Sequence, residues 1–274
     1  MLTIGEKGMI FLLNYNNLEM SKLRLIKLMF LISKRVPIYD FVPYKYGPFS
    51  FKLYNDLFKL EKEGYVSVSD ESVCLIKKDL PTIDNKKKNI IRIYSQNFSP
   101  LDDKSLLKYI YDTYPQYTIF SLYSKNQNYE KGLPGITTIG YEGKSLDKFL
   151  SELIKNKIEI LIDIRKNPYS RKFGFQGYKL KEYLQKVNIS YKHIPQLGIS
   201  SDLRKNLKNY EDYVILFEKY REDLKEKKEF IEEIKSVGKD HRISMMCYEK
   251  NIKYCHRGIL AELLREEDIE VTDI

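Results

Sequence analysis

The run Ile243-Ser244-Met245-Met246-Cys247-Tyr248-Glu249-Lys250-Asn251-Ile252-Lys253-Tyr254-Cys255-His256-Arg257 decides how the chain is read. Its first four residues have the apolar character of a buried strand. Its end runs into Gly258-Ile259-Leu260-Ala261-Glu262-Leu263-Leu264-Arg265, which reads as a helix. Two of the three cysteines and one of the three histidines fall between Cys247 and Arg257. In an open α/β sheet, ligands bind where a strand ends and a helix begins.

Outward from this turn, strands alternate with helices. Apolar runs at 136–140, 158–165, 189–194, 243–247 and 269–272 are the strand candidates. Helical spacing marks 145–156, 178–187, two stretches within about 211–237, and 255–265. The alternation predicts an α/β fold: a mostly parallel open sheet with helices on both faces. Functional groups then gather past the strand ends on one edge. Gly140-Tyr141-Glu142 follows the first strand. Asp163-Ile164-Arg165 and Asn167-Pro168-Tyr169-Ser170-Arg171-Lys172-Phe173 follow the second, with His193 and Leu197-Gly198 after the third.

The first 122 residues read differently, as a winged-helix-like α+β domain. A helix over 20–34 is stopped by Pro37. The loop Val42-Pro43-Tyr44-Lys45-Tyr46-Gly47-Pro48-Phe49 follows, and Ser50 caps a helix carrying Leu53, Leu57 and Leu60 on one side. Gly64 stops it. The runs 65–68 and 73–76 flank Ser69-Asp70-Glu71-Ser72 as a hairpin. Helices followed by a hairpin is the winged-helix order, and the last helix would expose Lys52, Asn55, Asp56 and Lys59 to a groove. Lys45, Lys52 and Lys59 are thus candidate nucleic-acid contacts. Cys74, on an apolar strand, reads as a core thiol. The stretch Asp84-Asn85-Lys86-Lys87-Lys88-Asn89 reads as a solvated loop and 105–111 as a short closing helix. A linker is expected at 123–134, with Asn126, Asn128, Gly132 and Pro134, before an α/β domain at 135–274.

A chain of 274 residues is long enough for two cores. With 43% hydrophobic and 31% charged residues it is globular, not disordered. Its net charge of +9 favours an anionic partner: nucleic acid, with DNA first. A membrane partner is not expected, since the apolar run at 23–36 is broken by Arg24, Lys27, Lys34 and Arg35. Three cysteines do not make a disulfide framework, and Met1-Leu2-Thr3-Ile4-Gly5-Glu6-Lys7 has no secretory leader pattern. The expected location is the cytoplasm.

Two resemblances add to this. Tyr46-Gly47-Pro48-Phe49-Ser50, with the helix ending Leu57-Phe58-Lys59-Leu60-Glu61-Lys62-Glu63-Gly64, resembles winged-helix-like modules of the antitoxin-associated Panacea type, over about the first 120 residues. Thr138-Ile139-Gly140-Tyr141, Asp163-Ile164-Arg165, Pro168, Ser170-Arg171, Leu197-Gly198, Cys247-Tyr248-Glu249 and Cys255-His256-Arg257 resemble the family named domain of unknown function 488, over about 136–265. That resemblance implies a histidine where this chain has Tyr141, and it brings no reaction with it.

Three chemistries are open at the turn. The first is a hydrolase or lyase acting on nucleic acid, as in DNA repair, at an N-glycosidic or phosphodiester bond. Glu249 and Asp163 would be its carboxylates, with Tyr141, Cys255 and His256 as further catalytic candidates. Arg165, Ser170, Arg171, Lys172 and Arg257 would hold phosphates. No organic cofactor is expected; a divalent metal fits the phosphodiester variant. The second is a metal or thiol site at Cys247, Cys255 and His256, although Cys-x7-Cys-His is not a usual zinc spacing. The third is a non-catalytic nucleotide-binding regulator or defence adaptor. Plainer roles stand beside these: Asp163 and Arg165 pairing structurally, His193 as a hydrogen-bonded edge residue, His241 at the surface, and 219–235 as a solvated helix face.

Overall fold

The computed structural model describes residues 1–77, 79–123, 129–204 and 207–274. They form two compact units, Met1–Tyr129 and Glu130–Ile274. Asn126 and Asn128 of the expected linker lie outside the described residues.

The N-terminal unit opens with α1 (Ile4–Tyr15), which the amphipathic pattern does not announce. Met9, Ile10, Leu12 and Leu13 are all wholly buried, so no polar stripe marks the helix. Its one local signal is a capping box, Thr3 with Glu6. A short strand β1 (Glu19–Ser21) leads into α2 (Lys22–Ser33), where Ser21 accepts the Arg24 N–H. The proline-containing loop folds into a tight pair, β2 (Val42–Tyr44) and β3 (Gly47–Phe49). Ser50 caps α3 (Phe51–Lys62) as expected, and Gly64 adopts φ +71°, a conformation that suits glycine. The hairpin is β4 (Val66–Val68) and β5 (Ser72–Leu75). β1 joins β5, giving a small antiparallel sheet in the order β1-β5-β4.

The connector is corrected by the structure. Residues 85–89 are not a loop but the start of a helix, α4 (Asn85–Phe98), capped by Asp84. Ile91 and Ser95 are buried and Tyr94 and Phe98 half-buried, at helical spacing, and α4 packs on α1 and α2. The closing helix is α5 (Asp103–Thr113), capped by Asp102.

The C-terminal unit is a five-stranded sheet in which every neighbouring pair is parallel. Its elements are β6 (Gly135–Gly140), α6 (Leu146–Lys155), β7 (Ile160–Asp163), α7 (Gly177–Gln185), β8 (Ser190–His193), α8 (Tyr210–Leu224), α9 (Lys228–Asp240), β9 (Arg242–Cys247), α10 (His256–Glu266) and β10 (Val271–Asp273). The strand order is β10-β6-β9-β7-β8. Side chains alternate across the sheet. Ile243, Met245 and Cys247 join Ile162, Ile164, Leu216, Ile234, Leu260 and Leu264 in one core. Leu161, Met246 and Ile139 are buried outside that core, as is the apolar stripe of α6: Leu146, Phe149, Leu150 and Leu153. About 1.5–3 kcal/mol per buried side chain of this size holds each layer to the sheet.

The topology also sets the crevice. The connection from β6 passes over β9 to reach β7, and the connection from β9 passes over β6 to reach β10. Right-handed crossovers in opposite directions leave on opposite faces, which opens a crevice at the ends of β6 and β9. Register aligns the strand ends: Gly140 pairs with Cys247, and Asp163 pairs with both Met246 and His193.

Candidate functional site

A cavity of about 320 Å³ lies at these strand ends, lined by Tyr141, Arg165, Ser170, Arg204, Tyr248 and Glu249, with Cys247 and His256 at its wall. Two glycines bring its backbone segments together. A Cβ on Gly140 would lie 2.0 Å from the Glu249 carbonyl oxygen, and one on Gly198 would lie 2.0 Å from the Lys166 nitrogen. Neither approach tolerates a side chain.

At the end of β7, Asp163 and Arg165 close on each other. Arg165 Nε donates to Asp163 Oδ1 at 2.8 Å and Nη2 donates to Oδ2, while Tyr191 donates to Oδ2 at 2.7 Å. The remaining guanidinium nitrogen donates to the Tyr141 hydroxyl and the Phe175 carbonyl, both at 3.0 Å. Asp163 is wholly buried and Arg165 nearly so. Burial works against the Arg165 charge, but the bonds and charge of Asp163 outweigh it and the pKa is raised. His193 Nε2 lies 2.8 Å from the Arg165 carbonyl, which accepts.

Tyr141 stacks on Phe175 with centroids 4.3 Å apart. Burial raises its pKa. Lys172 folds over this stack and donates to the Tyr141 carbonyl at 2.9 Å. Burial lowers its pKa. Ser170 faces the cavity and Arg171 is exposed beside it.

At the end of β9 the groups are arranged differently. Glu249 Oε1 accepts from Arg204 Nη1 at 2.8 Å, and the Cys247 thiol lies 3.4 Å from Oε2. Burial pushes the Glu249 carboxyl up, but the Arg204 charge and local hydrogen bonds more than offset it, so the pKa is lowered. Arg204 Nη2 donates to His256 Nδ1 at 2.6 Å. His256 Nε2 donates to the Ile164 carbonyl at 3.1 Å, since a carbonyl only accepts. Nδ1 therefore offers a lone pair, with Cys247 Sγ 3.6 Å away. Cys255 is buried, and burial raises its pKa well above the usual thiol value.

Arg257 is the bracket of this turn. Its side chain is wholly buried and donates to the carbonyls of Glu249 and Lys250 and to the Asp273 carboxylate. It holds the chain that presents Glu249 and turns no face to the cavity.

The structure thus brings Glu249, Cys247, His256, Tyr141, Arg165 and Ser170 to one cavity. Asp163 and Arg257 are enclosed behind it. In the N-terminal unit, Lys52 pairs with Asp56 and Lys59 with Glu6, while Lys45 is exposed beside the Tyr44 ring. Asp56 is buried, not on the exposed face of α3 as expected. Arg204 was not among the sequence candidates. It stands in an aperiodic stretch, and its one signal is being the first arginine after the third strand.

No curated protein and no solved structure matches the chain. A family model matches residues 145–264, a span that includes Asp163, Arg204, Glu249 and His256 but not Tyr141. Over residues 145–264, within the C-terminal unit, the chain is similar to the family described as Domain of unknown function DUF488.

Proposed function

We propose that the C-terminal unit is an enzyme that hydrolyses an N-glycosidic bond in a nucleotide or nucleic acid, with Glu249 as its working carboxylate. The observation that carries this reading is the Glu249–Arg204 pair: a carboxylate held below its ordinary pKa at the wall of a cavity. A group that stays ionised suits stabilising the positive charge of an oxocarbenium-like sugar, not donating a proton. In this reading water adds to the sugar carbon as the base leaves with the bonding electrons and takes up a proton. A volume of about 320 Å³ is at the lower end of the range for small-ligand sites. Tyr169 and Tyr248 are exposed aromatic rings for stacking on a base. Arg171, Lys166 and Ser170 are the groups for its phosphate. With Asp163 enclosed, Glu249 is the one carboxylate lining the cavity among the described residues, which favours glycosidic over metal-paired phosphodiester chemistry.

The N-terminal unit supports DNA as the polymer. Its order, α1-β1-α2-β2-β3-α3 and then a hairpin to which β1 adds, supports a winged-helix-like reading. Pairing of Lys52 and Lys59 with carboxylates leaves Lys45 as the readiest phosphate contact of the three. Three free cysteines accord with a reducing cytoplasmic setting. No helix among the described residues is long and apolar enough to cross a membrane.

The test is base release from labelled DNA, RNA and nucleotide panels by the full chain and by Glu249→Gln. A fall of roughly 10²–10³-fold is expected, the size of losing a preorganised charge. Base release by Glu249→Gln at the parent rate overturns the reading.

A further inference from the structure

Three soft donors converge behind the cavity wall. Cys247 Sγ, Cys255 Sγ and a ring nitrogen of His256 lie within 4.8 Å of one another, and all three residues are buried. We propose that these atoms bind one divalent cation of the zinc class, with the fourth coordination position directed at Glu249 and the cavity. The site shares Glu249 with the function above but does not depend on it.

Geometry is the first support. Around a tetrahedral zinc ion, a thiolate and an imidazole nitrogen stand about 3.6 Å apart. Cys247 Sγ and His256 Nδ1 are separated by 3.6 Å. The second support is the histidine itself. Its Nε2–H is fixed on the Ile164 carbonyl, so the other nitrogen turns its lone pair to the thiols. Metal-binding imidazoles are oriented by such a bond.

Adjacent residues seldom share one ion, because neighbouring side chains usually diverge. Here the backbone changes between them. Cys255 is extended, with φ −129° and ψ 135°, and His256 is the first residue of α10. The break at the helix start turns both side chains toward the end of β9. Arg257 then ties that end of α10 to the Glu249 and Lys250 carbonyls.

Charge and softness favour the zinc class. Two sulfurs and an imidazole prefer zinc over magnesium or calcium. On binding, each thiol gives its proton to solvent, so two thiolates neutralise the dication. Arg204 already places a cation at this point, its Nη2 on the His256 lone pair at 2.6 Å. The metal ion takes that lone pair, and the guanidinium stays on Glu249. Three protein ligands with a fourth position open is the pattern of a catalytic zinc, and Glu249 Oε2 is 3.4 Å from Cys247 Sγ.

The experiment is metal analysis of the untagged full chain after growth with zinc and gel filtration, paired with cobalt(II) substitution. About one equivalent of zinc per chain is expected, with an intense near-ultraviolet thiolate-to-cobalt band in the cobalt form. Cys255→Ser and His256→Ala should retain less than roughly a tenth of an equivalent, with circular dichroism checking their fold. Cys74→Ser and Glu249→Gln should retain the metal, which separates this proposal from the glycosidic one. Less than roughly a tenth of an equivalent in the parent chain after zinc reconstitution overturns it. So does cobalt bound without a thiolate band, and neither result requires a variant to fold.

Discussion

A carboxylate–arginine pair stands at the end of β7 and another at the end of β9, where the arginine comes from the segment after β8, and the two pairs do opposite things. At β7 the partners are two residues apart, and Tyr191, Tyr141 and the Phe175 carbonyl take further bonds, so the pair is held almost wholly inside the frame, with the Arg165 side chain only 7% exposed at the cavity wall. At β9 the partners are Glu249 and Arg204, distant in sequence, and the side chains are 20% and 27% exposed. A pair within one turn satisfies itself and becomes part of the frame. A pair assembled from two loops leaves polar atoms facing a cavity, where a ligand can use them.

The largest effect should come from breaking the sealed pair. Arg165→Met would leave the Asp163 carboxylate buried with Tyr191 as its main donor, at a cost of about 3–5 kcal/mol. Urea unfolding measures this, and a loss under about 1 kcal/mol would mean that β7 is as open as β9. Next is Arg204→Ala. Because that pair meets solvent, its stability cost should be only about 1 kcal/mol, while the pKa of Glu249 rises. The acid limb of the base-release profile should shift to higher pH; an unmoved limb would dissociate Arg204 from Glu249.

The smallest effect is the pH dependence of stability. The Glu249 pKa is lowered in the fold from an ordinary value of 4.5. Its contribution is therefore fully present above pH 4.5 and is lost as pH falls through the folded value. Melting temperatures measured from about pH 6 down to pH 3 should fall less steeply in Glu249→Gln than in the parent chain. Equal slopes would leave the β9 pair without a measurable charge contribution.

Residues visible in the sequence and residues brought in by the fold divide along physical lines. Ile243-Ser244-Met245-Met246 and Ile160-Leu161-Ile162 could be read as strands because parallel strands, buried on both faces, leave continuous apolar runs. That Gly140, Asp163, His193 and Cys247 share an edge followed from the alternation of strands and helices, and the register aligns them. By contrast, α1 carries little sequence signal, because its middle, Gly8 to Leu13, is buried on every side and leaves no polar stripe. The start of α4 was hidden by three lysines in its first turn.

Sequence alone determined the α/β class, the strand-end edge and the importance of the turn from Cys247 to Arg257. Only the tertiary structure decided what each charged residue there does. Arginine reads the same in a sequence whether it is sealed on its neighbour, like Arg165, spent on backbone carbonyls, like Arg257, or facing a cavity, like Arg204. Periodicity encodes which face of an element is apolar, but a hydrogen-bond partner is chosen by distance in space. Arg204 and Glu249 acquire their pairing from the packing of two loops that the local pattern leaves unspecified.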